Sequence, residues 1–212
     1  MKNEKSLEQN KILQRGAEAI IYLENENIVV KDRIKKSYRI KEIDEKLRRI
    51  RTKREAKLLK VARDLGVRTP KVISAEEYKI KMEFIYGKKL KDVLQNLSKE
   101  KIEEIFKIIA NYIALLHSKD IIHGDLTTSN FILKDDEIYL IDFGLGFYSS
   151  RIEDKATDLY LLYQSIKSAH FNILNEAWNI ILKKYIESYE KAELVIKRLG
   201  EIEKRGRYRG RE

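Results

Sequence analysis

Two short segments carry residues able to do chemistry. The first, IIHGDLTTSNFIL at 121–133, sets Asp125 ahead of Asn130, and the second, IYLIDFGLG at 138–146, places Asp142 directly before Phe143 and Gly144. Phosphoryl transfer asks little covalent chemistry of a protein: it needs a carboxylate to orient the attacking group and oxygen ligands to hold Mg²⁺ on a triphosphate. Asp125 suits the first task, and Asn130 with Asp142 the second. Either segment alone reads as an ordinary turn. Both together, in this order and bracketed by apolar strand-forming residues, point to a nucleotide-dependent reaction, with Gly124 and Gly144 allowing tight backbone where phosphates and metal approach.

Two charged residues extend the set. Lys31 ends the apolar run Ile28-Val29-Val30, a place where a lysine either pairs with α- and β-phosphates or is simply solvated. Glu55 shares its helical phase with Leu59 and Ala62, so it points with the apolar face, where a carboxylate needs a cation. Lys31 is one candidate for that cation, and a base on the same helix such as Arg51 is another. Upstream, the stretch from Leu13 through Gln14, Arg15, Gly16, Ala17, Glu18, Ala19 and Ile20 to Ile21 lies where a phosphate-covering loop belongs, although Gly16 is its only glycine. Met82-Glu83-Phe84-Ile85 ends a strand before Gly87. There Glu83 and Ile85 either offer backbone groups to an adenine or simply close a strand in the core. His123 reads as a loop-structuring residue, and neither it nor His117 nor His170 is expected to transfer a proton.

These residues need a frame. Lys11 to Ile34 shows short apolar runs broken by turn residues, a β-meander with its first turn at Gly16. Ile40 to Leu65 repeats apolar residues at three- and four-residue steps and stops at Gly66, which predicts a long amphipathic helix. After the single Pro70, KVISAEEY and KIKMEFIYG predict two more strands, about five in all. The second half is helical in period over 88–97, 98–117, 154–169 and 171–199, with strands only around 130–141. A β-rich front with one helix thus precedes a helical rear, an α+β arrangement in two lobes, 1–86 and 87–203, followed by a basic tail, 204–212, expected to be flexible or ordered only by a partner.

Composition bounds the reading. The 212 residues are 43% apolar, enough for a sizeable core. No Cys and three His argue against disulfides, thiolate metal sites and zinc chemistry. The polar start, residues 1–10, and the lack of any long apolar run predict a cytoplasmic protein without a membrane segment. The net charge of +10 is unevenly spread: residues 31–63 hold 15 basic against 5 acidic residues, and 197–212 hold 7 against 3. Such clusters suit a polyanionic partner, or are plain solvated faces.

In its combined residues the chain resembles the protein-kinase-like superfamily, and more narrowly the small kinase subunit of the KEOPS complex, which acts in threonylcarbamoyladenosine modification of tRNA. The likeness covers nearly the whole chain and rests on RGAEA at 15–19, the basic stretch 38–59, HGDLTTSN at 123–130, IDFGL at 141–145, EDKATDLYLL at 153–162 and the RGRYRGR tail. It implies a bilobal kinase-like fold with a reduced helical lobe and ATP with Mg²⁺ as cofactors. It also implies Asp125 as catalytic base, Asn130 and Asp142 as metal ligands, a Lys31–Glu55 ion pair and Asp158 bracing the catalytic loop, with autophosphorylation at Ser149 or Ser150. The implied partners are the other KEOPS subunits, including the threonylcarbamoyl-transferring one, and tRNA, met by Arg205, Arg207, Arg209 and Arg211. With Gly124 in place of an arginine and no A-P-E segment, ATPase activity is expected to outweigh peptide phosphorylation. Two other readings start from the same residues: a small-molecule phosphotransferase, and an RNA-binding scaffold with a vestigial nucleotide site.

Overall fold

A computed structural model describes residues 11–209, so what was expected of residues 1–10 lies outside the described residues. Strands β1 (Ile12–Arg15), β2 (Ala19–Asn25), β3 (Ile28–Arg33), β4 (Val72–Glu76) and β5 (Lys79–Glu83) form one antiparallel sheet in the order β1-β2-β3-β5-β4. This is the five-stranded sheet expected, and its first turn closes where Gly16 N–H donates to the Ala19 carbonyl at 2.9 Å. Between β3 and β4 runs helix α1 (Lys41–Asp64), followed at Gly66 by a positive φ of 93° that a glycine adopts without strain.

Only the second half of α1 is amphipathic in the expected sense. Thr52, Glu55, Ala56, Leu58, Leu59 and Ala62 are buried, whereas Ile40, Ile43 and Ile50, which share the apolar period, are exposed. The first half is held by polar contacts instead: the buried Asp44 accepts from the Lys36 N–H at 3.3 Å and from Arg48 Nε at 2.7 Å, and the Arg48 guanidinium lies over the Tyr78 ring.

The rear lobe opens with β6 (Lys88–Lys89) and α2 (Leu90–Val93) and continues through α3 (Lys99–Ser118), whose cap is Ser98 accepting from the Lys101 N–H. Then come β7 (Ile121–Ile122), β8 (Phe131–Lys134), β9 (Glu137–Leu140), β10 (Phe147–Tyr148), α4 (Ile152–Ala169), α5 (Leu174–Ser188) and α6 (Ala192–Arg209). Lys88 and Lys89 pair with β8 instead of starting a helix, and β7 with β10 makes a second small ladder. Two-residue strands leave no alternation for a sequence to show. Among the described residues no helix is long and apolar enough to cross a membrane.

The helical period over 171–199 belongs to two helices, not one. Tyr189 leaves the helix with φ −138° and ψ 118° without help from Gly or Pro, because its ring is drawn into the core beside Tyr185 and His117. The last helix also runs farther than expected. Residues 204–209 continue α6, with Ile202 packed against the core, and 210–212 lie outside the described residues.

One apolar core unites the molecule. Leu58, Leu59 and Ala62 of α1 pack into the same cluster as Ile105, Phe106 and Ile109 of α3 and Leu159 and Leu162 of α4. The helix that carries Glu55 is therefore anchored in the rear lobe while facing the front sheet.

Candidate active site

A cleft of about 520 Å³ lies between the lobes, a size usual for small-molecule sites. Its walls include Val29 and Lys31 of β3, Glu55 of α1, Met82 to Ile85 at the end of β5, and Asp125, Asn130 and Asp142. The sequence-predicted chemical residues thus meet in one place.

Lys31 comes from a strand whose alternation sets it on the same face as Val29 and Arg33. Its Nζ donates to Glu55 Oε1 at 2.7 Å and to Asp142 Oδ1 at 2.6 Å. Burial by itself would lower the Lys31 pKa, but the charges of Glu55 and Asp142 and their hydrogen bonds outweigh it and hold the ammonium above its ordinary value. For Asp142 burial pushes the other way, and Lys31 together with the Gly144 N–H keeps the carboxyl below the usual range. Asp142 has a φ of 64°, a left-handed conformation that aims its carboxylate back at Lys31. Glu55 answers the open question of its cation. Lys31 holds one oxygen and the buried Arg33 the other, while Arg51 pairs instead with Glu18 at 2.9 Å.

Asp125 and Asn130 meet within the loop 123–130. Asn130 Nδ2 donates to both the carbonyl and Oδ2 of Asp125, each at 2.8 Å, which leaves the amide oxygen for another partner. The donor set of Asp142 carboxylate and Asn130 amide oxygen is hard and sparse. That fits Mg²⁺, which takes one or two protein oxygens and completes its octahedron with phosphate and water.

Asp158 on α4 does brace this loop, its two oxygens accepting the N–H groups of His123 and Gly124, both at 2.8 Å. His123 is a loop-structuring residue as expected: one ring nitrogen meets the Ile141 carbonyl at 3.1 Å and the other accepts from Asp125 N–H at 3.2 Å. Gly124 has a φ of 79°, and a Cβ there would lie 2.6 Å from the Leu145 carbonyl oxygen, so this position requires glycine on two grounds. Ser149 spends its hydroxyl on Asp154 at 2.6 Å, while Ser150 is exposed.

The residues expected to meet a nucleotide lie only partly in the cleft. Leu13, Gln14 and Ile21 line it, as do Glu83 and Ile85. Arg15, Gly16, Ala17, Glu18, Ala19 and Ile20 are not among the lining residues. Ile20 belongs to the opposite face of β2 by strand alternation, and Glu18 is turned toward α1 by Arg51. Sequence reasoning missed Lys89, Lys91 and Ser129 at the mouth, Pro70, Ile132 and Ile141 in the walls, and Arg33 behind Glu55. Arg33 had one legible signal: it sits two residues past Lys31, hence on the same strand face. Of the basic tail, Arg205 is exposed, Arg207 and Arg209 fall within α6, and Arg211 lies outside the described residues.

Comparison with known proteins agrees with this geometry. A family model described as RIO domain matches residues 20–151. A curated protein of Pyrococcus abyssi, "KEOPS complex subunit Bud32", is 41% identical over 214 residues, covering 95% of this chain and 97% of that protein. A Methanococcus vannielii protein, "Probable bifunctional tRNA threonylcarbamoyladenosine biosynthesis protein", is 47% identical over 203 residues, and there the chain spans only 36% of the longer relative. Among solved structures, a streptomycin-ATP-APH(2")-IIa ternary complex superposes with a TM-score of 0.65 at 16% identity, covering 93% of this chain and 85% of that one. The Rio2 kinase-ADP/Mg²⁺-phosphoaspartate complex from Chaetomium thermophilum gives 0.62 at 15%, covering 99% and 75%. These two show the bilobal kinase-like fold. The domain match and the nearly full-length Pyrococcus relative show the family: the chain belongs, through its RIO domain, to the Bud32 kinase family of the protein-kinase-like superfamily.

Proposed function

We propose that the chain is a Mg-ATP-dependent atypical serine/threonine kinase and ATPase, working as a subunit of a KEOPS complex that supports threonylcarbamoyladenosine modification of tRNA. One observation carries the enzymatic part: Lys31, Glu55, Asp125, Asn130 and Asp142, far apart in sequence, converge on a single cleft. Membership of the complex is supported by the Pyrococcus relative, and the threonylcarbamoyl-transferring subunit as a partner by the Methanococcus one, where a similar segment belongs to a much longer chain.

Within this reading Lys31 binds phosphate oxygens, and Arg33 keeps Glu55 in place when Lys31 turns to them. Asp142 and Asn130 would hold Mg²⁺, which supplies charge neutralisation on the phosphates. Asp125 accepts the proton of the attacking water or hydroxyl, its carboxylate aimed by Asn130. The test is phosphate release from labelled ATP by the chain with partner subunits and tRNA, beside a panel of small alcohol acceptors. Hydrolysis that rises with partners and tRNA is expected. Faster transfer to a small alcohol would contradict the proposal in favour of a small-molecule phosphotransferase.

A further inference from the structure

Behind the catalytic loop lies a buried polar cluster that the chemistry above does not use. It centres on the corner between α5 and α6, where two tyrosines point into the rear lobe. The hydroxyl of the fully buried Tyr185 is 2.7 Å from His117 Nδ1, and His117 Nε2 is 3.5 Å from Asp158 Oδ2. That same carboxylate oxygen accepts the His123 N–H at 2.8 Å. If Nδ1 accepts from the tyrosine, the proton of the neutral ring sits on Nε2 and faces Asp158, so α5 sets the tautomer. Burial lowers the His117 pKa, which agrees with a neutral ring.

The second tyrosine works on the other end of the loop. Tyr189 Oη is 2.9 Å from Lys155 Nζ, and Lys155 donates to Asp120 Oδ1 at 2.6 Å. Asp120 holds a φ of 57° just before β7, and its carbonyl accepts the Ser149 N–H at 2.7 Å. One helix corner therefore touches both the incoming end of the catalytic loop and its brace. Packing alone does not call for this. Phenylalanine rings would fill the same space without the cost of burying hydroxyls, an imidazole and an ammonium group.

We propose that the α5–α6 corner aims the catalytic loop: Tyr185, through His117 and Asp158, and Tyr189, through Lys155 and Asp120, are positioning residues for Asp125. The proposal rests on the reading of Asp125 as the base. Its test uses Tyr185→Phe and Tyr189→Phe in the full chain assembled with its partners. Three quantities are measured: kcat and KM for ATP, the thermal midpoint, and the imidazole ¹⁵N resonances of His117.

Each variant is expected to lower kcat, by up to roughly 10²-fold as for a displaced reactive group, with KM for ATP unchanged. His117 of the parent protein should show one tautomer protonated at Nε2, and Tyr185→Phe a mixture. Wild-type kcat in both folded variants overturns the proposal, and so does a parallel loss of kcat and thermal midpoint with a single unchanged tautomer. If Tyr185→Phe does not fold, Tyr189→Phe decides alone. Asp125→Asn runs beside them. Full turnover in that variant defeats the reading of the site, whereas an inactive Asp125→Asn beside fully active tyrosine variants defeats only the role of the corner.

Discussion

Lys31 holds two carboxylates at once, and Glu55 holds two cations. The chain of charge Arg33–Glu55–Lys31–Asp142 is therefore balanced before any nucleotide arrives. The pH behaviour follows from the two shifts. Asp142 lies below its ordinary pKa, so its contribution to stability is present above the free-aspartate value of about 3.9 and fades as pH falls through the folded value. Lys31 lies above its own, so its contribution is full below about 10.4 and is lost as pH rises through the folded value. Lys31→Met removes both. With Arg33 still on Glu55, and Asp142 partly exposed, the expected cost near neutrality is about 1–3 kcal/mol. In urea unfolding without nucleotide, the gap between parent and variant should narrow below pH of about 4. A gap independent of pH would show that the ion pair is not its source. That Lys31, Asp125, Asn130 and Asp142 belong to one site was legible from residue type and local spacing, and they do line one cleft. Arg33 was legible only as a neighbour of Lys31 on one strand face, and His117 not at all, since each acts through a partner that only the tertiary fold supplies.

At the scale of elements, α1 ties the lobes together. Leu58 is fully buried, and a Cβ added at Gly146 would meet its Cδ1 at 2.8 Å, so the segment after Asp142 rests on this helix. Leu58→Ala should cost about 2–5 kcal/mol, read from denaturant midpoints, and a loss under about 1 kcal/mol would mean that α1 is not keyed into the core as described. At the loop, Gly124→Ala must adopt a left-handed conformation against the Leu145 carbonyl. We expect a cost of about 1–3 kcal/mol and a fall in turnover, measured together on the purified variant. The long helix, the sheet and α3 were legible through period and punctuation. The two-residue strands and the break at Tyr189 were not: the strands are too short for a pattern, and the break is made by side chains elsewhere. The outward half of α1 misled for a related reason, since a period shows which face is apolar but not whether anything covers it.

For the whole molecule, the charge is divided between the interior and the surface. The front lobe carries the basic stretch 31–63, yet part of it is internal, as Lys31 and Arg33 show. At the end of α6, Lys204 and Arg205 are exposed. Ending the chain at residue 203 removes Lys204, Arg205, Arg207, Arg209 and Arg211. Affinity of the assembled complex for tRNA should fall, and the slope of log K against log salt should shrink by roughly 0.7–0.9 for each phosphate that these side chains neutralise. An unchanged slope would assign tRNA binding to another surface.

The central claim is that Asp125 serves as the base of an ATP-consuming cleft. Its most direct test is steady-state ATP turnover by Asp125→Asn, which keeps the size of the side chain and removes the proton acceptor. We predict a loss of roughly 10²–10⁴ in kcat with little change in KM for ATP. Turnover at the parent rate, in a variant of unchanged thermal midpoint, would contradict the account.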